Sequence, residues 1–147
     1  MSKIVQAFLT GVFITFIFDF LIFLGIKENY IDFYKIDLYY NIHFADNQNI
    51  FIYLLFSAFF GYLVSYIDSN KIKLPILIFF FTASLATLIP QIGNALGAGF
   101  FMQKNQIFKS KRYTFTGDVY YIGRTNITFY DYDLQKIILL KKEELIP

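Results

Sequence analysis

Three long apolar runs dominate the chain. Between Ile4 and Ile26 the only charged side chain is Asp19, while Ile50 to Ile67 and Leu74 to Phe101 carry no charge. A bilayer core of ~30 Å needs about 20 apolar residues at a helical rise of ~1.5 Å each. The pattern therefore predicts transmembrane helices over about residues 4–26, 50–67 and 74–89. Pro90 interrupts the third run, because proline lacks a backbone donor and crowds the preceding turn. A short, partly interfacial helix is expected beyond it, over 91–102.

The polar stretches between these runs differ in kind. Lys27 to Asn49 alternates, with Ile36, Leu38, Tyr40, Ile42 and Phe44 on one side and Asp37, Tyr39, Asn41 and His43 on the other. A period of two predicts an extended segment with one apolar face, lying against the membrane surface or a neighbouring subunit. Tyrosines at 30, 34, 39 and 40 suit the headgroup zone. Asp68 to Lys73 is short and polar, and joins the second and third spans as an antiparallel hairpin.

The composition changes at Lys104. This divides the chain into a helical membrane domain, 1–103, and a small β-rich domain, 104–147. Runs of Tyr, Ile, Val, Thr and Phe, punctuated by Gly117-Asp118, Gly123 and Asp131-Tyr132-Asp133, predict strands near 112–116, 118–123, 125–131 and 136–140, then a terminal turn or strand. About 40 residues is close to the lower limit for independent stability. The segment is expected either to rest on the membrane helices as a meander or to be completed as a barrel by another subunit. Its strand spacing resembles a small SH3-like or Sm-like β-barrel, a likeness of shape that carries no function.

Composition narrows the chemistry. Hydrophobic residues make up 56% of the chain and charged residues 16%, against ~25% charged in an ordinary soluble domain. A net charge of +2 gives no reason to expect a nucleic-acid partner. Without cysteine there is no disulfide, thiolate ligand or cysteine nucleophile. His43 stands alone and cannot build a metal site; it reads as a loop residue at the membrane surface. The first apolar run is too long for a signal-peptide core and lacks a small-residue cleavage pattern, so it reads as a retained anchor. No dinucleotide or phosphate-binding loop, nucleophile elbow or zinc-protease motif occurs, so neither enzymatic activity nor a cofactor is expected.

Topology follows from the basic residues. Lys104, Lys109, Lys111 and Arg112, with Lys27 and Lys35, put six cations on the tail side against Lys3, Lys71 and Lys73 on the other. The positive-inside rule then places the tail in the cytoplasm, in a bacterial inner membrane or its equivalent. The cluster Lys109, Lys111 and Arg112 is either a simple topological signal or a contact for anionic lipid headgroups.

Small and polar residues mark the candidate working surfaces. Ala7, Gly11, Thr15 and Asp19 recur every four residues and share one helix face. Ser57, Gly61 and Ser65 repeat the device, and Gly93 and Gly97 form a G-x-x-x-G pair. In lipid, helices associate through close backbone approach along such stripes, so a tightly packed, oligomerising bundle is expected. Asp19 is costly within a bilayer, at least ~2.5–3.5 kcal/mol when ionised. The chain provides no cation within a span, so its expected partners are neutral groups such as Gln91 and Asn94. Two functions follow. One is a non-enzymatic membrane subunit that joins copies of itself or a larger complex, with the β-rich tail as interaction module. The other is a small homo-oligomeric channel or transporter whose path passes Asp19, Gln91 and Asn94, since symmetry would turn one acid into a ring.

Overall fold

The computed structural model describes residues 2–110 and 113–146. Helix α1 runs from Lys3 to Ile26 and starts on Ser2, whose hydroxyl accepts from the Val5 amide at 3.4 Å. It continues through one π-helical turn, Lys27–Ile31. α2 (Tyr40–Asn47) and α3 (Ile50–Tyr66) meet at 86°, and α4 (Asn70–Ala86) and α5 (Pro90–Phe101) meet at 87°. Among the described residues, the helix Lys3–Ile31 is long and apolar enough to cross a membrane alone; the other two pairs reach that length only across their bends.

Both bends have local causes. At the first, Asn49 caps α3, its side-chain oxygen accepting from the Phe51 and Ile52 amides at 3.0 and 3.2 Å. At the second, α4 stops at Ala86 and Pro90 opens α5 at its first turn, where a missing N–H costs nothing. The third apolar run thus leaves its helix three residues before the proline. The alternating stretch 36–44 departs from expectation: residues 36–39 form no regular secondary structure, with Tyr39 extended, and Tyr40 onward is helical. His43 is accordingly not a surface loop residue. It is fully buried on α2, its ring edge-on to Phe23 and Phe101.

α1 and α3 lie antiparallel in close contact. Lys3 Nζ sits 4.7 Å from the Tyr66 ring centre at one end of the pair, and Gln48 meets Asp19 at the other. A Cβ at Gly11 would fall 1.8 Å from the Ser57 carbonyl oxygen, and one at Gly61 would fall 2.3 Å from that of Ala7. The two stripes therefore face each other within one chain. α4 returns beside them, with Ile76, Leu77 and Phe80 against Phe18, Phe60 and Leu63. Its other faces expose Ile72, Leu74, Ile78, Phe79 and Phe81.

The C-terminal segment forms one antiparallel sheet of five strands, β1 (Gln103–Ser110), β2 (Thr114–Ile122), β3 (Asn126–Asp131), β4 (Lys136–Lys141) and β5 (Leu145–Ile146), in the order β4-β3-β2-β1-β5. It curls into a half-barrel around Val119, Ile127, Phe129 and Leu140. β1 lies where the sequence showed no strand pattern. The two strands expected at 112–116 and 118–123 are instead one, β2, whose register shifts between Val119 and Tyr121. Gly117 sits inside it because a Cβ there would meet the Tyr130 carbonyl oxygen at 1.8 Å. The Asp131–Asp133 turn forms as a side-chain-closed turn: Asp131 accepts from the amides of Asp133 and Leu134 at 2.8 and 2.9 Å.

The half-barrel rests on the helices. Ile26, Tyr30, Ile31 and Ile36 share a core with Tyr121. The Tyr30 hydroxyl donates to the Tyr120 carbonyl at 2.8 Å, and Arg124 makes a two-point ion pair with Asp46, its Nε 2.8 Å from Oδ2.

Candidate functional site

The three amides between α2 and α3 are each committed differently. Asn47 Nδ2 donates to the His43 carbonyl at 2.8 Å and to the Tyr121 hydroxyl at 3.2 Å, and lies 3.2 Å from His43 Nδ1. Gln48 Nε2 donates to Asp19 Oδ2 at 2.9 Å. Asn49 caps α3, as described above. Asp19 therefore meets neither amide expected for it. It is bonded where the chain turns from α2 into α3, at the same level as the first residues of α3.

Asp19 borders a cavity of about 410 Å³. α1 contributes Asp19, Ile22, Phe23 and Ile26, and the α2–α3 joint contributes Asn47, Gln48 and Asn49. The start of α3 adds Ile52 and Tyr53, and the end of α5 adds Phe100 and Phe101. The lining thus combines polar side chains with aliphatic and aromatic ones. The Tyr53 hydroxyl donates away from Asp19, to the Val12 carbonyl at 2.9 Å, and the Tyr40 hydroxyl donates to the Phe20 carbonyl at 3.1 Å.

Gln91 and Asn94 belong to a different place. They border a shallow cleft with Glu28, Asn29, Asp32 and Tyr34. Asn94 Nδ2 donates to the Asn29 carbonyl at 2.9 Å, while Asn29 Nδ2 donates to the Thr87 and Leu88 carbonyls at 3.1 and 3.2 Å. This chain of amides satisfies carbonyls left open at the end of α4 and ties α5 to the π turn. Gly93 and Gly97 allow the crossing. A Cβ at Gly93 would lie 2.3 Å from the Thr87 carbonyl oxygen, and one at Gly97 would lie 2.3 Å from the Tyr30 ring.

The remaining expected positions are distributed. Ser57 is buried and returns its hydroxyl to the Tyr53 carbonyl at 2.8 Å, whereas Ser65 is half-buried on α3. Thr15 is buried, with no hydrogen-bond partner for its hydroxyl among the described residues. Lys109 is exposed at the end of β1 away from α5, about 20 Å along the strand at ~3.3 Å per residue. Lys111 and Arg112 lie outside the described residues.

Two electrostatic environments lie on the sheet side of the helices. Burial, aided by the nearby charge of Lys27, holds the His43 imidazole down to about 4, so it is neutral at physiological pH. The Arg124 guanidinium holds the Asp46 carboxyl below its ordinary range. No group of three His, Cys, Asp or Glu side chains suited to a metal occurs among the described residues. Gln48, Asn29 and Tyr121 were not singled out by sequence reasoning. Their partners lie 29 or more residues away, and no local pattern marks them.

No family model matches the chain, nor does any curated protein or solved structure.

Proposed function

We propose that this is an integral membrane protein with three antiparallel spans, α1, α3 and α4, that holds its β half-barrel against one face of the bilayer as a non-enzymatic interaction module. The observation that carries this reading is the pair of right-angle bends. Two apolar 17-residue helices, each about 25 Å long, run alongside α1, and both chains turn sideways at the same end of it. α2 and α5 then lie across that end with the sheet above them. The apolar side chains left exposed on α1, α3 and α4 suit lipid rather than water.

In this arrangement the N-terminus and the 67–69 turn share the opposite face. The tail's side carries the greater number of cations, which supports a cytoplasmic half-barrel. The return of β5 to β1 supports an SH3-like shape. One of the module's two sheet edges is β4, where Ile137 and Leu139 are 44% and 63% exposed between Lys136 and Lys141. Such an edge offers unpaired backbone groups to an added strand. The channel reading receives less support, because Asp19, Gln91 and Asn94 do not line one path and the small stripes of α1 and α3 are already occupied by each other.

The test is purification of native protein and Leu139→Lys from membranes in mild detergent. Both variants are expected in the alkali-resistant membrane fraction, with companions of the native protein lost from the variant. The same companions on both, or cation flux in proteoliposomes abolished by Asp19→Asn, would contradict the proposal.

A further inference from the structure

The cavity beside Asp19 has a donor and acceptor balance that selects a ligand. Several of its polar donors are spent within the protein: Gln48 Nε2 on Asp19, Asn47 Nδ2 on the His43 carbonyl and the Tyr121 hydroxyl, and the Tyr53 hydroxyl on Val12, while Asn49 Nδ2 is open. Three of its acceptors are not spent. Asp19 Oδ1, Gln48 Oε1 and Asn47 Oδ1 have no hydrogen-bond donor among the described residues. The lining holds one carboxylate and no Lys, Arg or His. An acceptor-rich wall with an uncompensated acid complements a group that brings several N–H donors and a positive charge.

The rest of the cavity specifies what that charge is attached to. Ile22, Phe23, Ile26, Ile52, Phe100 and Phe101 complete the lining, and Phe100 is 68% exposed. The volume of about 410 Å³ lies within the usual range for small-molecule sites. In the three-span reading, on which this inference rests, the cavity lies at the bilayer boundary with its apolar rim toward the acyl chains.

We infer that this cavity binds a primary ammonium group carried on an aliphatic chain, with the ammonium on Asp19 and Gln48 and the chain along Ile52, Phe100 and Phe101. An aminophospholipid and a free long-chain amine both present a primary ammonium, the lipid's joined to its chains through an ethyl phosphate ester. A quaternary ammonium does not, since it brings no N–H to the acceptors and would rely on aromatic faces alone.

The experiment uses full-length protein in nanodiscs containing ethanolamine or choline phospholipid, with native mass spectrometry of retained lipid, and dodecylamine titration in detergent. Ethanolamine lipid should be retained at least about tenfold over choline lipid, the worth of one charge-assisted hydrogen bond. Asp19→Asn should reduce that preference to about twofold or less, and Asp19→Glu should restore part of it. Phe100→Trp, which narrows the exposed rim without touching the acid, should weaken retention even if the Asp19 variants fold poorly. Dodecylamine binding without ethanolamine-lipid preference would assign the site to free amines. Equal retention of both lipids with no dodecylamine binding would overturn the inference, as would an unchanged preference in Asp19→Asn. Extraction of the protein by alkali, with dodecylamine binding intact, would instead remove the membrane reading and leave the site standing.

Discussion

The helical half and the sheet half of this molecule differ in how their elements approach one another. α1 and α3 meet along Ala7, Gly11, Ser57 and Gly61, residues with almost no side chain, so their backbones touch there, and Phe18 packs on Phe60 further along. The half-barrel instead fills its interior with Val119, Ile127, Phe129 and Leu140. Lipid tails are as apolar as leucine, so helices within a bilayer gain from contact density rather than from removal of apolar surface. In water that removal is the dominant gain. In the proposed membrane arrangement, the change of packing style between residues 101 and 103 follows a change of solvent, and the layer where the halves meet, around Tyr30, His43, Asn47 and Tyr121, mixes aromatic burial with hydrogen bonds.

Substitutions should separate the two styles. The largest effect is expected from Phe129→Ala, which empties the fully buried centre of the half-barrel and should cost about 3–5 kcal/mol. It should melt the sheet while leaving α1 and α3 protected from hydrogen exchange in micelles. The reverse experiment is Gly11→Ala. One added methyl must displace the Ser57 carbonyl, so a loss of about 3 kcal/mol is expected, confined to the helices and read by denaturant titration in detergent. If that methyl were tolerated at no cost, the backbone-contact explanation would fail.

The junction responds to acid. His43 is neutral when folded, with its proton affinity held down to about 4, whereas in the unfolded chain it titrates near 6.5. Between those values the unfolded state binds the extra proton. Stability is thus intact above pH 6.5 and declines as the pH falls toward 4. By pH 5 the loss should be about 2 kcal/mol, absent in His43→Gln, as read from thermal melts. A smaller effect, about 1 kcal/mol, is expected for Tyr30→Phe, which removes the donor to the Tyr120 carbonyl. Its signature is faster hydrogen exchange in β2 with α1 unchanged.

Much of this architecture could be read from residue patterns, because solvent acts on whole segments. The apolar runs, the stop near Pro90 and the β-rich tail are properties of many residues together. The break at 47–49 was hidden because an eight-residue helix beginning at Tyr40 overlaps a period-two pattern. β1 was hidden because QKNQIFKS is polar and largely exposed, and becomes a strand only through its pairing with β2. Gly117 looked like a turn residue, yet its missing Cβ serves a close approach to Tyr130. Asp19 was visible as an anomaly, but its partner was not. Nothing local to Gln48 indicates that the chain will return it to α1.

The three-span arrangement with both bends on one face is tested most directly by single cysteines placed in a chain that has none of its own. Ser69→Cys, Ala45→Cys and Thr125→Cys are exposed positions, and Phe79→Cys lies on the exposed apolar side of α4. In sealed, oriented vesicles a membrane-impermeant maleimide should label position 69 from one side only, and positions 45 and 125 from the other side only. Position 79 should stay unlabelled until the bilayer is dissolved. Labelling of 69 and 125 from the same side would contradict the arrangement.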